Sequence, residues 1–291
     1  MNIIFFNPCR NGDVHVSRGY IIDMMEKLPN YNFFYMQNPA YTKDFLLKDI
    51  PNLSPYDVLY QFSINSSITV EDENIYINTW YGQDSSKYFV KAKELVGTDD
   101  CSFYVVHEIF RNIYEYFNLE IETFDKYLPK INFHNLNVSM IDSFLEKVSS
   151  FDKKILLCTD PVQSGQSLNF DFNQIVKVLA IEYPNYAFIT TGDIITSKNI
   201  FKMKDVIDVA CDLNETSYLS TFCDVIVGRG SGAYTFSVIE ENINNENKKF
   251  VCFVKDKVIS LALKDGDYKC QLIWSDDYSV NNIYLKIKES L

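Results

Sequence analysis

Residues 222–241, FCDVIVGRGSGAYTFSVIEE, constrain the fold more than any other stretch of the chain. Val225, Ile226 and Val227 form a short, wholly apolar, β-branched run. Such a run predicts a strand buried on both faces of a parallel sheet. Gly228 to Gly232 then turn the chain, and the apolar spacing from Ala233 to Glu241 predicts a helix starting at Ser231 or Gly232. A strand, a Gly/Ser turn and a helix start, in that order, leave backbone N–H groups and the positive end of a helix dipole at the turn. That arrangement suits an anion. Arg229, inside the turn, adds a cation of the kind that pairs with phosphate. The plain alternative is a tight βα turn carrying a surface arginine. The serine and arginine within the turn, and a second polar loop earlier in the chain, weigh toward the anion site.

The same strand–loop–helix plan recurs. Ile3–Phe6 reads as a first strand, and residues 7–13 as a loop of turn formers. Val16, Tyr20, Ile21, Met24, Met25 and Leu28 mark a helix over Val16–Leu28. Asn32–Met36, Asp57–Phe62 and Asn74–Thr79 read as strands, Cys101–Leu119 as a long helix, and Phe124–Leu128 and Val138–Val148 as shorter helical segments. The polar run Ser149–Lys154 precedes a fresh strand at Ile155–Cys158. A domain boundary is expected there, giving domains 1–150 and 151–291. The second half continues with a loop over Thr159–Asn169, a helix carrying Ile175 to Ile181, and strands at Tyr186–Thr190 and Asp205–Val209. A helix over Asn214–Phe222, capped by Asn214, leads into the 222–241 stretch. A strand at Phe250–Val254 and an amphipathic helix over Asn281–Leu291 complete the chain. The expected fold class is α/β, with two Rossmann-like domains facing across a cleft and the ligand at the carboxyl ends of the strands.

The chain has 291 residues, enough for two such domains, and its 47% hydrophobic content is that of a globular protein. A net charge of −12 excludes the basic footprint of a nucleic-acid binder. It also excludes broad docking on anionic lipid, leaving room only for a local peripheral membrane contact. The seven cysteines are scattered without Cys-x-x-Cys spacing. That argues against a structural zinc and fits reduced thiols in a cytoplasmic protein. The N-terminus has no signal-peptide pattern, and no stretch approaches the roughly 18 apolar residues of a membrane span.

Three further loops are candidates. Arg10, Asn11, Gly12, Asp13, His15 and Arg18 cluster after the first strand. Asp13 and His15 are the acid/base candidates, because a carboxylate or imidazole at a cleft edge can take a proton from a hydroxyl. Arg10, Asn11, Gly12 and Arg18 are candidates for holding acceptor or phosphate. The alternative is that Asp13 or Ser17 caps the next helix and His15 is structural. Ser164, Gly165, Gln166 and Ser167, after the first strand of the second half, join Arg229, Gly230, Ser231, Gly232 and Glu240 as donor-binding candidates. Trp80 and Tyr81 end a strand and could stack on a sugar face, with core packing as the alternative. No metal-ligand cluster stands out, and no cofactor is expected.

Taken together, these features resemble the two-Rossmann (GT-B) glycosyltransferases. The segment Gly12–Asp13–Val14–His15 resembles the Gly-Asp turn of the heptosyltransferases, whose aspartate is taken to be the general base. That resemblance implies the same role for Asp13. The second half is similar to bacterial sugar-transferase-like proteins through its Ser-Gly-Gln-Ser, Asn-Phe-Asp and Cys-Asp-x-Ile-Val-Gly-Arg-x-Ser-Gly segments. It departs from the heptosyltransferases where Asp-Thr-Gly-x-x-His is expected, since Gly228–Gly232 stands there instead. No Asp-x-Asp closes a strand, so metal-assisted diphosphate binding is not indicated. The expected function is metal-independent transfer of a sugar from a nucleotide-sugar donor to a glycan or glycoconjugate. The alternatives are a nucleotide-sugar epimerase or hydrolase, with Asp13, His15 and Glu240 as acids and bases, and a non-catalytic sugar-nucleotide-binding subunit.

Overall fold

The computed structural model describes residues 1–8, 10–38, 44–57, 67–80, 102–163, 165–209 and 211–291. Candidate residues Ser164 and Tyr81, Cys9 and Cys101, and all but Asp57 of the strand expected at Asp57–Phe62, lie outside these. The chain forms two compact units, Met1–Asn135 and Leu136–Leu291. The division falls ahead of the polar segment 149–154, because the helix Ser139–Lys147 packs within the second unit, its Phe144 ring edge-on to Phe201.

In the first unit the described strands are β1 (Asn2–Phe6), β2 (Asn32–Met36), β3 (Leu53–Pro55), β4 (Ile68–Glu71) and β5 (Asn74–Asn78). They lie in the order β3-β2-β1-β5-β4, with only β4 antiparallel to its neighbour. Helix α1 (Asn11–Lys27) follows β1, and α2 (Ser102–Tyr116) packs against it. Strand β1 is central, and Ile3, Ile4 and Phe5 are fully buried. Helix α1 starts five positions earlier than its apolar spacing predicts, so Asn11, Gly12 and Asp13 form its first turn rather than a loop.

The second unit opens with α3 (Ser139–Lys147) and carries β6 (Lys153–Leu157), α4 (Asn173–Glu182), β7 (Tyr186–Thr190), β8 (Ile200–Lys202) and α5 (Leu213–Thr221). Then come β9 (Val225–Gly228), α6 (Gly232–Phe236), α7 (Glu240–Ile243), β10 (Lys249–Phe253), α8 (Lys257–Leu261), β11 (Gln271–Ser275) and α9 (Val280–Ser290). The sheet order is β11-β10-β9-β6-β7-β8, with every pairing parallel. Counted from β6, this is the doubly wound order 3-2-1-4-5-6. Val225, Ile226 and Val227 are buried as their run predicts, and each such side chain contributes roughly 1.5–3 kcal/mol.

Several expectations are corrected. Asp205–Val209 is not a strand: Met203–Asp205 is a 3-10 turn, and the N–H groups of Val206 and Ile207 both donate to the Met203 carbonyl at 2.8 Å. Asn214 does not cap α5; it lies inside the helix, and Asp212 is the cap residue. The helix expected from Ala233 to Glu241 breaks at residues 237–239 into α6 and α7.

Candidate functional site

In a doubly wound sheet, ligands bind at the carboxyl ends of the two strands where the winding reverses, because the loops there diverge and leave a crevice. In the second unit that point lies between the paired strands β6 and β9. The two polar loops singled out in this half follow those two strands. In the first unit the corresponding pair is β1 and β5. There the chain after β1 leads to Arg10 and Asp13, and the chain after β5 carries Thr79 and Trp80. Each unit thus places its candidate residues at its own switch point.

The turn after β9 is built for close approach. A Cβ on Gly228 would sit 2.5 Å from Cδ2 of Tyr234, so only glycine lets α6 fold back there. Gly230 has φ +69°, the left-handed region that glycine enters without strain. Ser231 is the N-cap of α6, yet its side chain makes no cap hydrogen bond. Its hydroxyl is buried and has no hydrogen-bond partner among the described residues. A buried hydroxyl left this way is costly unless a ligand completes it. Gly232 lies close to the start of α5, where a Cβ would come within 3.8 Å of Leu213. Glu240 opens α7 and is half-buried.

Arg229 does not project as a free cation. It is 3% exposed, and its Nη1 donates to the Phe170 carbonyl at 2.7 Å. Its Nη2 donates to the carbonyls of Asp160, at 3.1 Å, and Thr159. The guanidinium also lies 4.9 Å from the Phe170 ring and 5.0 Å from that of Phe172. Burial lowers its pKa, and Asp160 and Asp171 oppose that shift. Both terminal nitrogens are spent on the loop after β6, while Nε is buried with no hydrogen-bond partner among the described residues, so Arg229 joins the two switch-point loops through its terminal nitrogens.

The loop after β6 is further tied down. Ser167 is buried, and its hydroxyl donates to the Phe253 carbonyl at 2.6 Å, which makes it a structural anchor to β10 rather than a ligand group. Gly165 is exposed and Gln166 half-buried. Oε1 of Gln166 lies 3.9 Å from the position of a Cβ on Gly230, so the two candidate loops meet there. Thr159 accepts the Gly192 N–H at 2.8 Å on its hydroxyl, which brings in the loop after β7.

In the first unit, the Asp13 carboxylate accepts the Arg10 N–H at 2.9 Å through Oδ2. This is half of a capping box and explains why the helix begins where it does. Oδ1 has no partner among the described residues. Burial raises the Asp13 pKa, opposed by its hydrogen bond and proximity to Arg10. Asn11 and Gly12 are half-buried first-turn residues. His15 is fully buried and cannot meet a substrate at a cleft edge without rearrangement. Arg18 is also fully buried: it is ion-paired with Asp49 and donates to the Leu46 carbonyl at 3.1 Å. Asp49 in turn accepts the Asn132 N–H at 3.0 Å, so this pair is an internal brace and not a phosphate site. Trp80 is 3% exposed, core packing rather than a sugar platform. The Thr79 N–H donates to the Phe6 carbonyl at 2.9 Å and stitches the ends of β5 and β1 together.

Two open hollows lie away from both switch points. One of about 940 Å³ is lined by Met25, Phe33, Pro51 and Lys130, and one of about 750 Å³ by Met140, Lys147, Lys198 and Lys202. Among the described residues no three His, Cys, Asp or Glu side chains cluster to hold a metal ion, and no helix is long and apolar enough to cross a membrane.

No family model matches the chain, and no curated protein matches its sequence. Solved structures do share its fold. The E. coli heptosyltransferase WaaC with ADP aligns at 6% identity over 100% of both chains, with a TM-score of 0.52. The glycosyl transferase family 9 structure from Veillonella parvula aligns at 9% identity over 100% of this chain and 92% of that one, with a TM-score of 0.50. At such identities the likeness concerns fold: the chain has the two-Rossmann fold of GT-B glycosyltransferases and is similar in it to the heptosyltransferases.

Proposed function

We propose that the protein is a glycosyltransferase that moves a sugar from a nucleotide-sugar donor to a hydroxyl of a glycan or glycoconjugate. The observation that carries the reading is the turn after β9, where Ser231 keeps a buried hydroxyl, unpartnered among the described residues, beside the left-handed Gly230 at a switch point. The leaving nucleoside diphosphate gains charge as the sugar departs. Preorganised amides and the Ser231 hydroxyl meet that charge at no reorganisation cost. Gln166 and Gly232 complete the wall of the same crevice.

On the acceptor side, Asp13 is the general base. Burial makes its carboxylate more basic, and the Arg10 N–H fixes its orientation through Oδ2. Oδ1 then takes the proton from the attacking hydroxyl. Neutralisation of the diphosphate falls to protein donors, so the reaction needs neither a divalent metal nor a cofactor. A thermal-shift screen tests the donor half of this reading. A nucleoside diphosphate that binds the folded state raises the melting temperature by mass action, and four common nucleoside diphosphates that all leave it unchanged at millimolar concentration would refute it.

A further inference from the structure

With both terminal nitrogens of the buried Arg229 committed to carbonyls, the two loops carry no exposed cation for a diphosphate among the described residues. We infer that Lys255, immediately after β10, supplies it. This inference rests on the donor reading just given. Three observations place Lys255 beside the turn. Its backbone N–H donates to the Gln166 carbonyl at 3.0 Å. The preceding residue, Val254, has Cγ1 3.3 Å from the position of a Cβ on Gly230. Strand β10 pairs with β9 in register, Cys252 opposite Gly228, so the chain after β10 leaves the sheet alongside the turn.

The charges around it single out this lysine. Lys255 is exposed, and among the described residues no carboxylate pairs with it. Lys257, two positions on, is held by Asp265 at 2.6 Å. Lys202, the last residue of β8, and Lys204 just after it both pair with Asp193. A lysine ammonium on its flexible four-carbon stem is a compact point charge that can follow a diphosphate as the sugar leaves. The division of labour is then clear: the buried arginine shapes the loops, and the exposed lysine meets the charge.

Lys255 is exposed and its side chain makes no hydrogen bond or ion pair among the described residues, and its backbone tie to Gln166 survives any substitution but proline. The test is calorimetric titration of ADP, UDP, GDP and CDP, and of the matching nucleosides, into wild type, Lys255→Met, Lys255→Arg and Lys257→Met. The diphosphate that binds wild type is expected to bind Lys255→Met about ten- to a hundredfold more weakly. Lys255→Arg should recover most of the loss, Lys257→Met should match wild type, and the nucleoside should bind all four proteins alike. If Lys255→Met binds the diphosphate as tightly as wild type does, the assignment of Lys255 is wrong while the donor reading stands. If wild type binds none of the four diphosphates, the donor reading fails and the role of Lys255 falls with it.

Discussion

Replacing Arg229 with methionine tests whether this residue builds the site or touches the ligand. Methionine keeps much of the apolar stem but offers no donor and loses the guanidinium that lies over the Phe170 and Phe172 rings. Three carbonyls, of Thr159, Asp160 and Phe170, lose a charged partner. Such hydrogen bonds contribute about 1.5–3 kcal/mol each when measured singly. They do not add, because the arginine is itself desolvated and the freed carbonyls can turn to water. A net loss of about 2–4 kcal/mol is expected. At roughly 2–4 °C per kcal/mol for a unit of this size, the melting temperature should fall by about 5–15 °C. Calorimetry reads the stability, and hydrogen exchange over residues 159–172 reads the loop, which should lose protection. An unchanged melting temperature with unchanged exchange would refute the clamp. Loss of nucleotide affinity without any loss of stability would return Arg229 to direct phosphate contact.

Asp13→Asn should fold normally, because the amide oxygen can still accept the Arg10 N–H, while turnover drops by about 10²–10⁴; a wild-type rate would remove Asp13 as the base. Lys248 is 3% exposed and caps the end of α5, its Nζ donating to the carbonyls of Ser220 at 2.8 Å, Thr221 at 3.0 Å and Cys223. Lys248→Met should therefore cost about 2–4 kcal/mol in denaturant unfolding, and a loss below about 0.5 kcal/mol would contradict that role. Burial, and the nearby Arg111, push the His107 pKa down to about 4 from its ordinary 6.5. The unfolded chain then takes up a proton at this position that the folded chain refuses, so the contribution of His107 to stability is constant above pH 6.5 and declines as pH falls from 6.5 to 4. His107→Gln should flatten that part of the stability profile, and an unaltered slope would argue against it.

The central strands were legible because both faces are buried, which leaves unbroken apolar runs such as Ile3–Phe6 and Val225–Val227. Strand β4 (ITVE) was not, because it is a partly exposed edge without such a run, and edge strand β11 has only Leu272–Trp274, half-buried and set among polar residues. The start of α1 was hidden because Asn11, Gly12 and Asp13 are turn formers by type; what makes them helical is the Arg10 N–H on Asp13, a contact between main chain and side chain. At the site, Gly230 and Ser231 were readable from the turn chemistry. Arg18 and Arg229 were not, since a charge in the sequence says nothing about the Asp49 carboxylate or the three carbonyls that claim them. Nothing in the sequence around Lys255 marks it, because its neighbourhood becomes special only when β10 lies beside β9.

The central claim is donor-dependent transfer, and the most direct measurement is nucleoside diphosphate release from a panel of nucleotide sugars, with and without a glycan acceptor extract, in the presence of EDTA. Release is expected from one donor, rising at least tenfold with acceptor, persisting in EDTA and lost in Asp13→Asn. Release that is independent of acceptor, or donor binding with no release under any condition, would contradict that claim.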